Sequence, residues 1–182
     1  MGRLSQAIAE GDGISILVEV SDADAAGEAE RQGADVIAVR TGGEAVREAS
    51  HLPVLHLGGA REAGEAGADA VVVDANRAAW ETAQTAELEC VVRVGHADEL
   101  ERALEDIDPE IFLLSARPSW DDDPLELLLA LLHDVPAGKL AIADLRDATA
   151  EDVAELERAG VDGVLVASGD VAALVGSEPP EV

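Results

Sequence analysis

The chain is built on a beat. Short β-branched runs alternate with Ala/Glu-rich stretches of helical character, eight times between Ile14 and Val175. The runs are ISILVEV (14–20), DVIAVR (35–40), PVLHLG (53–58), AVVVDA (70–75), CVVRVG (90–95), IFLLSA (111–116), LAIADLR (140–146) and GVLVAS (163–168). Strands joined through helices pair in parallel, and such sheets are covered on both faces, so their strands read as continuous apolar runs. Eight such units are the number that closes a (β/α)8 barrel. The expected fold is an α/β TIM barrel of eight parallel strands with short loops. In that architecture the working side chains sit at the C-terminal ends of the strands.

Length narrows the organisation. The chain has 182 residues, whereas this fold typically takes about 250, so little is left for lids or inserted subdomains. The expected division is a short leader over 1–13, a single barrel over 14–176 and a flexible acidic tail over 177–182. The leader, RLSQAIAEGDG, reads as one short helix ended by glycines. Three segments echo one another: RQGADVIAV (31–39), EAGADAVVV (65–73) and RAGVDGVLV (158–166). In each, a helix closes on a glycine that accepts the left-handed conformation, and an Ala/Val-Asp turn launches a strand. Thr149, followed by Glu151 and Asp152, reads as a capped helix start.

Charge excludes several partners. The formal net charge is −27, from 39 acidic against 12 basic residues, a field that repels nucleic acid and anionic membrane surfaces. Lys139 is the only lysine, and its place before the seventh strand puts it at the rim opposite the catalytic one. The single cysteine, Cys90, lies in an apolar run, which excludes a disulfide framework and reads as a small buried hydrophobe. No signal peptide is visible, and the longest Leu-rich run, LELLLALLHDV, is well short of the roughly 20 residues of a membrane span. A cytoplasmic monomer is expected.

Strand parity nominates the site. Side chains alternate between the barrel interior and the helix layer. With Ile16, Val18 and Val20 toward the helices, Leu17 and Glu19 point inward. The same parity turns Arg40, Asp74, Arg93 and Asp144 inward near their strand ends. Charges there must pair. The expectation is a ring centred on Arg93, with Glu19 and Asp144 as partners, and a second pair between Arg40 and Asp74. As chemistry, Glu19 and Asp144 would be acid and base with Arg93 tuning them. As structure, the ring would only plug the barrel mouth.

Other candidates lie in loops. Arg117 follows the sixth strand and either meets a ligand or pairs with Asp121 to Asp123. Those acids fit a cap on the helix starting near Pro124 better than a cation site. Among the histidines, His51 and His133 read as solvated and His56 has outward parity. His96, just past the fifth strand, is the one placed for acid/base work. Trp80 belongs to the packing face of a helix, and Trp120 to the rim loop. The histidines show no metal-ligand spacing, so no metal and no cofactor is expected.

Against this background the chain resembles the indole-3-glycerol-phosphate synthase family of tryptophan biosynthesis. ILVEVSDAD, HLPVLHLGG, ECVVRVGHADELERAL, LLSARPSW and LAIADLRDATAEDVAELERAGVDGVLVASGDV are similar to family segments in the same order. The resemblance implies a lyase that closes the indole ring with loss of carbon dioxide and water from a small phosphorylated substrate. It implies catalytic roles for Glu19, Arg93, Arg117 and Asp144. Ser21 and Leu57 stand where the family has lysines, Arg93 where it has a glutamate, and Ser115 where it has an asparagine. For the phosphate it implies a cradle of Arg146, Ser168 and Gly169, with Asp170 beside it. Two alternatives stay open: an inactive binding or scaffold barrel of that family, and a phosphosugar isomerase.

Overall fold

The computed structural model describes residues 2–11, 13–117, 122–167 and 169–174. After helix α1 (Arg3–Ala9), strands and helices alternate along the chain. They run β1 (Ser15–Glu19), α2 (Ala23–Arg31), β2 (Val36–Val39), α3 (Gly43–Ala49), β3 (Val54–His56), α4 (Ala60–Glu65), β4 (Ala70–Asp74) and α5 (Arg77–Thr85). The second half is β5 (Glu89–Val94), α6 (Ala97–Asp106), β6 (Ile111–Leu114), α7 (Pro124–His133), β7 (Leu140–Asp144), α8 (Ala150–Ala159) and β8 (Gly163–Ala167). All eight strand pairings are parallel and the order β1 to β8 closes on itself. The protein is a (β/α)8 barrel. One expectation fails locally: among the described residues β8 is followed only by a 3-10 turn, Val171–Ala173.

The two-residue period of the strands divides the apolar residues between two cores. Leu17, Val36, Ala38, Leu55, Val72, Val91, Leu113, Ile142 and Leu165 fill the barrel interior. Ile16, Val18, Ile37, Val71, Val92, Phe112 and Val164 face outward against the helices. His56 follows the outward parity and is buried, its Nδ1 accepting the Gly58 N–H at 3.0 Å. Cys90 is buried too.

The leader closes the N-terminal end. Leu4 and Ile8 of α1 belong to the interior core, so the helix stoppers the barrel from below. Its exposed N–H groups need acceptors, and Glu89 at the start of β5 supplies them. The Glu89 carboxylate accepts from the N–H of Gly2 at 3.2 Å, Leu4 at 2.8 Å and Ser5 at 3.2 Å. Lys139 lies at this same end, bonded to Asp108 at 2.9 Å and Glu110 at 3.4 Å.

The echoed segments have one structural job. Gly33, Gly67 and Gly160 carry φ of 97°, 66° and 92° and end their helices. Two residues on, each aspartate grips the preceding strand twice. The Asp35 N–H donates to the Ile16 carbonyl at 2.9 Å, and its carboxylate accepts the Ile16 N–H at 2.8 Å. Asp69 does the same to Val54 at 3.0 and 2.8 Å, and Asp162 to Ala141 at 2.9 and 2.8 Å. The clamps therefore join β1 to β2, β3 to β4 and β7 to β8. Before β5 and β6 the pattern is altered: Glu87 (φ 58°) and Asp108 (φ 52°) hold the left-handed place. Glu89 and Glu110 hold the acidic one, and they turn to α1 and Lys139 instead.

Candidate active site at the C-terminal mouth

Above the last apolar layer the inward positions become charged. Register sets Glu19 level with Ala167 and Asp74 level with Arg93. Asp144 pairs with Leu165 across β7 and β8. The ring exists, but its centre is Arg146. The Arg146 guanidinium bonds the carboxylates of both Glu19 and Asp144. Its residue number has the same parity as Asp144, and only β8 separates β7 from β1. At the mouth β8 offers Leu165 and small Ala167, so the long arginine side chain spans over it.

Arg93 does not hold the carboxylates. Its nearest acidic partner is Asp74, at 4.0 Å and 78% exposed. Arg40 pairs with Glu19 at 2.7 Å rather than with Asp74. The physical reason for both corrections is lateral distance around the barrel. Adjacent strands bring β4 to β5 and β1 to β2, whereas Arg93 on β5 lies two strands from Asp144 and four from Glu19.

Each carboxylate has a different setting. Asp144 is 13% exposed and Glu19 21%. The Ser115 hydroxyl, on the loop just beyond β6, donates to Asp144 at 3.1 Å. Burial pushes the Asp144 carboxyl above its ordinary range, while the Ser115 bond and the charges of Arg93 and Arg40 pull it down. Burial also lowers the Arg146 guanidinium from its ordinary value, without removing its charge in the neutral range. The mouth therefore holds two acid/base groups on one cation. Sequence parity had both carboxylates; it missed Arg146, although the D-x-R spacing of 144 and 146 carries the signal.

The corner between β7 and β8 holds a cavity of about 290 Å³ lined by Arg146, Gly169, Val171 and also Asp147 and Asp170. Ser168 lies outside the described residues, as do Trp120 and Asp121. A second cavity of about 480 Å³ opens over Glu19, Ser21, Arg40, Thr41 and Ala167. Arg117 is exposed and has no ion-pair partner among the described residues. Asp123 caps α7, its carboxylate accepting the Leu125 N–H at 2.9 Å. His96 sits at the start of α6, 3.4 Å from Glu99 and 54% exposed. Among the described residues no cluster of three or more His, Cys, Asp or Glu is placed to hold a metal ion. None of their helices is long and apolar enough to cross a membrane.

No sequence family and no curated protein matches the chain. Solved structures do match. An N-acetylmannosamine-6-phosphate 2-epimerase from Clostridium perfringens superposes with a TM-score of 0.71 at 15% identity, over 87% of this chain and 88% of that one. A thiamine phosphate pyrophosphorylase from Pyrococcus furiosus gives a TM-score of 0.67 at 20% identity, over 88% of each chain. In all, 561 solved chains match, so many that the likeness fixes the fold and selects no activity.

The indole-3-glycerol-phosphate synthase resemblance is overturned by these neighbours. The segments that carried it are strands with the turns and helix starts that follow them, and only the last adds a left-handed glycine, Gly160, and a clamping aspartate, Asp162. Among the positions that would have carried chemistry, Ser21, Leu57, Arg93 and Ser115 differ from the family's residues.

Proposed function

We propose that this barrel is an isomerase or epimerase of a small phosphorylated sugar, working by proton transfer at a carbon next to a carbonyl. The observation that carries the reading is the placement of Asp144 and Glu19 on opposite sides of one guanidinium at the C-terminal mouth. The epimerase neighbour, named for a phosphorylated sugar, supports the substrate class.

In this reading the substrate phosphate competes with the two carboxylates for Arg146, drawing the guanidinium toward the Gly169 corner. Asp144 is thereby released in a desolvated setting, where a carboxylate is a stronger base. It takes the proton from the carbon beside the carbonyl. The electron pair moves onto the carbonyl oxygen, and the resulting enediolate is stabilised by Arg146 or Arg40. Asp144, now carrying that proton, returns it to the neighbouring carbon, while Glu19 stays a carboxylate held by Arg40. No cofactor, metal, nucleic acid or membrane takes part, and the protein acts as a cytoplasmic monomer with its single barrel spanning 14–176.

A second reading draws on the same pairs. Carboxylates saturated by arginine stay ionised and unreactive, which suits an inert binding barrel. Solvent isotope exchange separates the two. The protein is incubated in deuterium oxide with a panel of hexose and hexosamine 6-phosphates, and carbon-bound deuterium is read by NMR. The expected result is exchange with at least one member, reduced at least about 100-fold by Asp144→Asn. Absence of exchange across the panel, or exchange unchanged in Asp144→Asn, sinks the reading.

A further inference from the structure

A cavity larger than those at the mouth lies at the other pole. It measures about 810 Å³ and opens beside α1, between α5 and the starts of β5, β6 and β7. Its wall is apolar, with Trp80, Leu88 and Leu140, and its acids are Glu87, Glu89 and Glu110. Trp80 is only partly buried, packing one side on the outer core while also lining this space. The volume falls within the range of small-molecule pockets, and the composition of an apolar wall with few polar groups is that of such a pocket.

Charge selects the occupant. The carboxylate of Glu87 has no ion-pair or hydrogen-bond partner among the described residues. Among the described residues Glu89 is engaged by the neutral N–H groups of Gly2, Leu4 and Ser5. Glu110 shares Lys139 with Asp108, which holds the ammonium more closely, at 2.9 against 3.4 Å. Among the described residues no Lys, Arg or His lines the cavity itself. An anion is repelled here, and a second copy would bring a further formal charge of −27 to this face. A neutral apolar molecule would strip water from carboxylates without compensating them. A cation on an apolar body satisfies both the wall and the acids, and an indole face adds cation–π attraction.

We infer that this groove at the N-terminal pole binds a small amphiphilic cation, an ammonium or guanidinium carried on a hydrophobic group, seated on Trp80 with its charge toward Glu87 and Glu110. The site is independent of the chemistry at the mouth. Trp80 and Trp120 are the only tryptophans, so a Trp120→Phe background makes Trp80 the sole fluorophore of its kind. Benzyltrimethylammonium is titrated against it, beside phenethyl alcohol as a neutral aromatic and tetramethylammonium as a bare charge. The expected result is saturable quenching by the aromatic cation, about tenfold stronger than by either control. Glu87→Gln with Glu110→Gln should weaken it about tenfold while circular dichroism stays unchanged. Amide shifts in an NMR titration should gather at Gln84, Leu88 and Gly138. Equal response to all three probes, unweakened binding in the double glutamine variant, or shifts gathered at Arg146 would each overturn the site.

Discussion

Arg146 shows how much can hang on one long side chain. It is the shared partner of two carboxylates that are largely removed from water, and deleting one member of such a set strands the others. Arg146→Leu should therefore lower unfolding free energy by about 2–3 kcal/mol, less than for a fully buried pair because 27% of the side chain stays exposed. Arg93→Leu, whose acidic neighbour is distant and solvated, should cost under about 1 kcal/mol. Urea denaturation of both variants checks the order. Parity revealed which charges turn inward, because alternation is a property of the backbone. It could not reveal who pairs with whom, since that depends on lateral separation around the barrel and on side-chain reach. His56 offers a pH test at the same scale. Burial holds its folded pKa below the ordinary value of about 6.5, so in the window beneath that value the unfolded chain binds more protons. Its contribution to stability is then full above about 6.5 and is lost as pH falls through that window. Compared with His56→Gln, the wild type should lose more stability between neutral and mildly acidic buffer; parallel slopes in the two proteins would defeat the assignment.

At the scale of elements, the helix-to-strand corner is the repeated unit, and its grammar is partly visible in the sequence. The glycine, the small residue and the aspartate of the three echoes were legible as a corner, because left-handed backbone has a residue signature. Their double grip on the preceding strand was not, since it needs the neighbouring strand in place. Where Glu87 and Asp108 replace the glycine, a Cβ is forced into left-handed backbone. Glu87→Gly should therefore raise stability, by about 0.5–1 kcal/mol, and a shift of the urea midpoint upward at constant slope is the expected reading. The leader was legible as a helix but not as a stopper. Nothing in RLSQAIAEGDG says that Leu4 and Ile8 will meet the barrel interior, or that Glu89, far along the chain, will receive the helix N–H groups.

For the molecule as a whole, 39 acidic against 12 basic residues leave far more negative charge than the ion pairs can absorb. Self-repulsion favours the expanded chain, and salt screens it over about 8–10 Å near 0.1 M. The melting temperature should therefore rise between about 0.02 and about 0.5 M sodium chloride, despite the weakening of surface pairs; a fall would mean that the arginine bridges outweigh the net field. The eightfold beat made the closed barrel readable, because number and order of strands decide closure. The mouth was readable only as a location. One further consequence lies in the corners. Three of the four odd-to-even strand joints are riveted by an aspartate, and the joint between β5 and β6 is not, since Glu110 at the corresponding place is employed by Lys139. Of those four joints it is the one expected to part first. Amide hydrogens shared by Val91 to Val94 and Ile111 to Leu114 should therefore exchange through a lower-energy opening than those of β1 with β2 or β7 with β8.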